Sequence, residues 1–188
     1  VRVWAQRVSY VGEMGWELYV PNNRALMVWD ILCTAGKGFG MEVGGYKVLD
    51  SLRLDKGYRY YTTDVTPLET PYECGLRFCV HFDKGDFIGK DALLEKKNNG
   101  PSATKLCTLV LDGEAFTQIY GGEAIYSDGK VITRVRSGGY GYTLKKNILY
   151  AYLPIELSKV GTHVEVELIE GKYIAEVTAT VLYDPKGE

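Results

Sequence analysis

The chain has 188 residues, 46% of them hydrophobic, enough to bury a core in one large or two small domains. Its 22 Lys and Arg against 24 Asp and Glu leave a formal net charge of -2, so no basic field is present to hold nucleic acid or an anionic membrane surface. No run approaches the roughly 20 apolar residues that span a bilayer, and neither the 4 cysteines, which lack C-x-x-C spacing, nor the 2 separate histidines suggest a metal site or a redox pair.

The run Val1-Arg2-Val3-Trp4-Ala5 begins strand-like and without an initiator Met, which reads as a chain cut from a longer one. From Val1 to Val20 two runs rich in Val, Tyr and Trp flank Gly12-Glu13-Met14-Gly15, the pattern of a β-hairpin whose glycines supply positive φ. With Glu13 and Met14 as the loop, Tyr10 and Glu17 stand opposite each other on one face. Asn22 and Asn23 offer caps for a helix striped by Leu26, Val28, Trp29, Ile31 and Leu32, ending near Gly36 and Gly38. A second helix is expected from Tyr46 to Lys56, with Val48, Leu49, Leu52 and Leu54 inward and Gly57 terminating it.

Tyr58 to Pro71, aromatic and proline-punctuated, reads as an irregular surface segment. Cys74, Leu76, Phe78, Val80 and Phe82 then alternate with more polar neighbours, predicting a strand with one face buried. After a turn at Asp83-Lys84-Gly85-Asp86, residues Phe87 to Leu94 lead into a short helix that dissolves in Lys96-Lys97-Asn98-Asn99-Gly100-Pro101-Ser102, the clearest domain boundary. Beyond it come short runs separated by glycine turns: Leu106 to Leu111, Glu123 to Tyr126, Val131 to Arg136, Ile148 to Leu153, Val164 to Leu168 and Tyr173 to Leu182. That spacing predicts a small antiparallel barrel or sandwich. Cys33, Cys74, Cys79 and Cys107 read as buried, reduced thiols in a reducing interior.

Glu17 is the carboxylate of most interest, because Trp16-Glu17-Leu18-Tyr19 is an aromatic strand where a half-buried charge must meet donors. Two readings stand: an ion pair with Arg2, Arg7 or Arg53, or acceptance from the guanidine-like edge of a bound ring such as a pterin, with Tyr10 as aromatic neighbour. Asp50, Arg53 and Asp55 on the second helix read as solvated surface pairs. Arg134, Arg136, Lys145 and Lys146 read as a solvated face, with contact to a polyanion the competing account. Gly138-Gly139-Tyr140-Gly141-Tyr142 lacks the Lys-Ser or Lys-Thr of a phosphate loop and reads as a flexible or close-packed turn. His81 and His163 read as surface histidines, and no metal ligand set is assigned.

Val8-Ser9-Tyr10-Val11-Gly12-Glu13-Met14-Gly15-Trp16-Glu17 resembles a stretch of the aminomethyltransferase family, the glycine-cleavage T-protein and its relatives. Leu49-Asp50-Ser51-Leu52-Arg53, Pro71-Tyr72-Glu73-Cys74-Gly75-Leu76 and Lys84-Gly85-Asp86-Phe87-Ile88-Gly89-Lys90 follow in that family's order, and Ser137 to Asn147 with Ala151-Tyr152-Leu153-Pro154 resembles its C-terminal domain. Within the superfamily, Lys56-Gly57-Tyr58-Arg59, Asp86-Phe87-Ile88-Gly89-Lys90 and Trp16-Glu17-Leu18-Tyr19 are most similar to the C-terminal module of dimethylglycine and sarcosine dehydrogenases.

The resemblance implies an α+β fold: residues 1–97 the C-terminal part of a folate-binding core, and residues 104–188 a small antiparallel β-barrel domain. It implies binding of tetrahydrofolate, with Glu17 gripping the pterin and Tyr10 lining the pocket, and capture of a one-carbon unit as 5,10-methylenetetrahydrofolate. FAD and the small methylated amine, dimethylglycine or sarcosine, belong to an upstream domain, and the family's catalytic aspartate also lies upstream, so no catalytic residue is assigned and this fragment alone is expected to be inactive. The resemblance places such a protein in the cytoplasm of a bacterium or the mitochondrial matrix of a eukaryote. T-proteins carry arginine where this chain has Leu49, which weighs against a stand-alone aminomethyltransferase of glycine cleavage. A non-catalytic relative similar to the regulatory subunit of pyruvate dehydrogenase phosphatase is the other alternative, disfavoured by Glu17.

Overall fold

The computed structural model describes residues 1–187. The C-terminal half is a closed antiparallel barrel of strands β3 (Thr104–Leu111), β4 (Ala124–Ser127), β5 (Lys130–Gly141), β6 (Lys146–Pro154), β7 (His163–Leu168) and β8 (Gly171–Thr178), arranged around the wall as β3-β6-β5-β4-β7-β8. Closure leaves no unpaired edge. Alternation sets the interior: Leu109 and Leu111 of β3, Leu149, Ala151 and Leu153 of β6, Val164, Val166 and Leu168 of β7, and Ala175 and Val177 of β8 form one apolar cluster. Each Val or Leu side chain among them contributes about 1.5 to 3 kcal/mol when fully buried.

Strand β6 is buried on both faces, because a second apolar layer lies outside the barrel wall. There Leu106, Ile148, Tyr150 and Tyr152 pack against Leu54 and Cys74 from the N-terminal half. The helix that supplies Leu54, α2 (Val48–Asp55), lies against β5 and β6. Gly141 of β5 permits this approach, since an added Cβ would collide with the Asp55 carboxylate, and one at Gly138 would come within 2.7 Å of Ile119 and 2.9 Å of the Ile148 carbonyl. The run 138–141 is therefore strand, paired with Lys146 to Leu149, and not the turn expected from its glycines. Here glycine serves close packing against a neighbouring layer.

The N-terminal half holds a two-stranded hairpin, β1 (Trp4–Gln6) with β2 (Glu17–Tyr19), then α1 (Ala25–Gly36), α2, and α3 (Lys90–Asn98). Gln6 stands opposite Glu17, so the expected Tyr10 and Glu17 pair is not formed. The chain from 7 to 16 is a wider loop in which Ser9 Oγ accepts from Val11 N–H at 3.2 Å and Gly12, at φ 75°, lies against Lys56. Neither Asn22 nor Asn23 caps α1; both enter a single 3-10 turn ahead of it. No residue of α1 is buried, and Trp4, Trp16, Leu26, Trp29 and Ile31 are each exposed.

The expected strand over residues 74–82 is absent. Cys74 N–H bonds to Thr70 O, Leu76 N–H to Pro71 O and Cys79 N–H to Leu76 O, closing successive turns that end in a 3-10 turn at Arg77–Cys79. The backbone there satisfies its donors locally, within these turns. No helix among the described residues is long and apolar enough to cross a membrane.

Candidate functional site

Glu17 is exposed on β2. Its carboxylate accepts a hydrogen bond from the Tyr19 hydroxyl at 2.9 Å and joins none of the ion pairs formed among the described residues. The partners considered from sequence are thus not taken up, and Arg53 is committed elsewhere. Tyr19 in turn rests against Trp4, ring centroids 5.3 Å apart. The result is an oriented carboxylate with open acceptor positions beside an aromatic pair.

Tyr10 lies apart from that face. Its ring packs 5.6 Å from Tyr58 and 5.2 Å from Tyr60, and its hydroxyl is buried without a hydrogen-bond partner. Burial pushes the phenol up to about 12, against the pull of Arg53, so it remains a neutral donor over the physiological range.

The segment Tyr58 to Pro71, expected at the surface, carries the most buried carboxylate among the described residues. Asp64 is 0% exposed and meets Arg53, itself 2% exposed, at 2.7 Å. Arg53 also donates to Ser137 Oγ at 3.0 Å and to Tyr58 O at 3.1 Å. Ser137 donates onward to Asp64, whose other oxygen accepts from Tyr60 N–H at 2.8 Å, and Tyr152 donates to the Asp64 carbonyl at 2.9 Å. The guanidinium lies 4.6 Å from the Tyr60 ring centroid and 5.4 Å from that of Tyr150. Of the helix charges expected at the surface, Asp50 is exposed, but Arg53 and Asp55 are buried, each 2% exposed. They face the barrel, and Asp55 accepts from Thr143 N–H at 3.2 Å.

Between α2 and β5 runs a cleft of about 560 Å³ whose walls include Lys47, Asp50, Tyr60, Phe116, Arg136 and Tyr140. Arg136 pairs with Glu69 at 2.7 Å and stands over Tyr152, while Arg134 donates to the Gly122 carbonyl at 2.9 Å. Both are thus structural contacts of the chain itself. All four cysteines are free, as expected, but Cys79 is exposed and Cys33 only half-buried. No group of His, Cys, Asp and Glu among the described residues could hold a metal ion. Sequence reasoning missed Asp64 and Arg59. The signal available was the density of charge and aromatic residues in Lys56-Gly57-Tyr58-Arg59-Tyr60-Tyr61-Thr62-Thr63-Asp64, unusual for a solvated loop.

Residues 1–84 match the family model of the GCVT N-terminal domain, and residues 104–184 that of the glycine cleavage T-protein C-terminal barrel domain. The 4-methylaminobutanoate oxidase (formaldehyde-forming) of Paenarthrobacter nicotinovorans is 38% identical over 98% of this chain and 22% of its own length. Mitochondrial dimethylglycine dehydrogenase of Mus musculus is 36% identical over 98% of this chain and 21% of its own. An aminomethyltransferase of Caldanaerobacter subterraneus subsp. tengcongensis is 37% identical over 88% of this chain and 44% of its own. The crystal structure of glycine cleavage system aminomethyltransferase T from Bartonella henselae superposes with a TM-score of 0.82 at 28% identity, covering 95% of this chain and 49% of that one. The chain spans about a fifth of the oxidase and dehydrogenase relatives and under half of the aminomethyltransferases.

Proposed function

The chain belongs to the glycine-cleavage T-protein superfamily, and from that premise we propose that it is the C-terminal, tetrahydrofolate-handling part of an enzyme that demethylates a small methylated amine such as dimethylglycine or sarcosine. In this reading residues 1–97 complete a folate-binding core and residues 104–188 form its barrel domain. The one-carbon unit leaves as 5,10-methylenetetrahydrofolate. FAD, bound by a domain outside this chain, would supply the oxidation of the N-methyl group, and this chain's residues bind and orient the folate.

The observation that carries the reading is the state of Glu17. A carboxylate oriented by Tyr19 and free of any ion pair among the described residues suits the two N–H donors on the pterin edge. In this reading Tyr10, whose ring packs against Tyr58 and Tyr60, would line the folate pocket.

The reading is tested on the full-length protein. Dimethylglycine, sarcosine and 4-methylaminobutanoate, each carrying a carbon-13 N-methyl group, are supplied with tetrahydrofolate while flavin absorbance is followed. Bleaching by one amine, with label recovered in 5,10-methylenetetrahydrofolate, is the expected result. A colourless protein that instead accepts a one-carbon unit from an aminomethyl-lipoyl carrier would replace this reading with the aminomethyltransferase of glycine cleavage, the second reading supported by relatives at 34 to 37% identity.

A further inference from the structure

A second cavity, of about 560 Å³, opens beneath Tyr10 between the end of α2, the 75–78 turns and the chain at Thr180 and Val181. Its cations are unequally committed. Lys56 donates to the Asp184 carboxylate at 2.5 Å, whereas Arg59 takes part in no ion pair among the described residues, and its buried Nε has no hydrogen-bond partner. Tyr10 lines the same cavity, and its buried hydroxyl is also without a partner. Two donors without an acceptor, one of them charged and half-buried, are a costly arrangement unless an anion completes it.

We propose that Arg59 and Tyr10 form a recognition site for a carboxylate carried on a planar aromatic body, seated in this cavity. The planar guanidinium presents paired N–H donors that match a carboxylate in bidentate fashion, and the phenol adds a third donor. Gly75, at φ 72°, keeps the backbone flat against the guanidinium: an added Cβ would stand 3.1 Å from Arg59 Nη2. Tyr58, Tyr61 and Phe78 line the same cavity, and the latter two are 66% and 72% exposed, so they offer ring faces to a ligand. Aromatic walls around one charged fork favour an aromatic carboxylate over a phosphate, which would leave those faces unused.

The site shares Tyr10 with the tetrahydrofolate reading but does not depend on it. The experiment is calorimetric titration of the full-length protein with sodium benzoate and, separately, with inorganic phosphate. Saturable benzoate binding is expected, at least tenfold tighter than phosphate. Arg59→Gln should weaken it at least tenfold, and Arg59→Lys, which keeps the charge but loses the fork, nearly as much. Tyr10→Phe, which removes a single oxygen, should weaken it several-fold and serves if the Arg59 variants do not fold. Glu17→Gln should leave benzoate affinity unchanged whether or not tetrahydrofolate binding fails, which separates the two readings. Absence of saturable benzoate binding, equal affinity for phosphate, or undiminished benzoate affinity in the folded variants would each overturn the proposal.

Discussion

Arg53 on α2 and Asp64 in the following loop form an ion pair at 2.7 Å, sealed from solvent between the N-terminal half and the barrel. Ser137 of β5 bridges both partners, so the pair joins three parts of the chain. A buried charge left without its partner is strongly unfavourable, so Arg53→Ala is expected to destabilise the protein by about 3 to 5 kcal/mol in urea denaturation. Asp64→Asn should cost a comparable amount. The double change Arg53→Met with Asp64→Leu should cost clearly less than the two single losses together.

The approach of α2 to β5 depends on the missing side chain at Gly141, where a Cβ would strike the Asp55 carboxylate. Gly141→Ala is expected to lower stability by about 1 to 3 kcal/mol, the usual range for overpacking. Gly38→Ala, where an added Cβ meets nothing within 4 Å, should be neutral within about 0.5 kcal/mol. Paired thermal melts distinguish them.

Burial alone would raise the Glu73 carboxyl, but donors from Lys96, Thr70 and Ser102 outweigh it and hold it down at about 2. A carboxyl whose folded pKa lies below its unfolded value of 4.5 stabilises the fold fully above that value and loses the contribution as pH falls toward 2. Stability of the wild type should therefore drop by about 1 to 3 kcal/mol more than that of Glu73→Gln between pH 5 and pH 2. Parallel denaturant titrations across that window measure the difference.

Helix α1 buries none of its residues, yet Leu26, Trp29 and Ile31 are 73%, 51% and 59% exposed. Apolar surface of this kind binds hydrophobic dyes and promotes association. The 188-residue chain is expected to enhance anilinonaphthalene sulfonate fluorescence and to self-associate in sedimentation. Leu26→Lys with Ile31→Lys should reduce both effects while changing stability by less than about 0.5 kcal/mol.

The barrel was legible from sequence because glycine turns separate runs whose inward residues alternate, and all six expected runs became strands. The same pattern misled at Cys74 to Phe82, where alternation exists but the backbone donors close local turns instead of a ladder. The hairpin register was misread because Gly12 closes no two-residue turn; its positive φ packs the loop against Lys56, a contact 44 residues away that local spacing does not encode. Likewise, the i, i+3 and i, i+4 pattern of α2 marks Arg53 and Asp55 as surface charges, while their partners Asp64, Ser137 and Thr143 come from distant segments. Of the candidate site, Glu17 and Tyr10 were visible as residue types in an unusual setting, but the unpaired state of Glu17 and the donors gathered around Tyr10 belong to tertiary structure.

The most direct measurement is the affinity of the full-length protein for tetrahydrofolate, compared with that of its Glu17→Gln variant. If Glu17 accepts from the pterin edge, the variant should bind more weakly by about 1 to 3 kcal/mol, a factor of roughly 5 to 150 in Kd. Equal affinities in two equally folded proteins, or no binding by the wild type, would contradict the account.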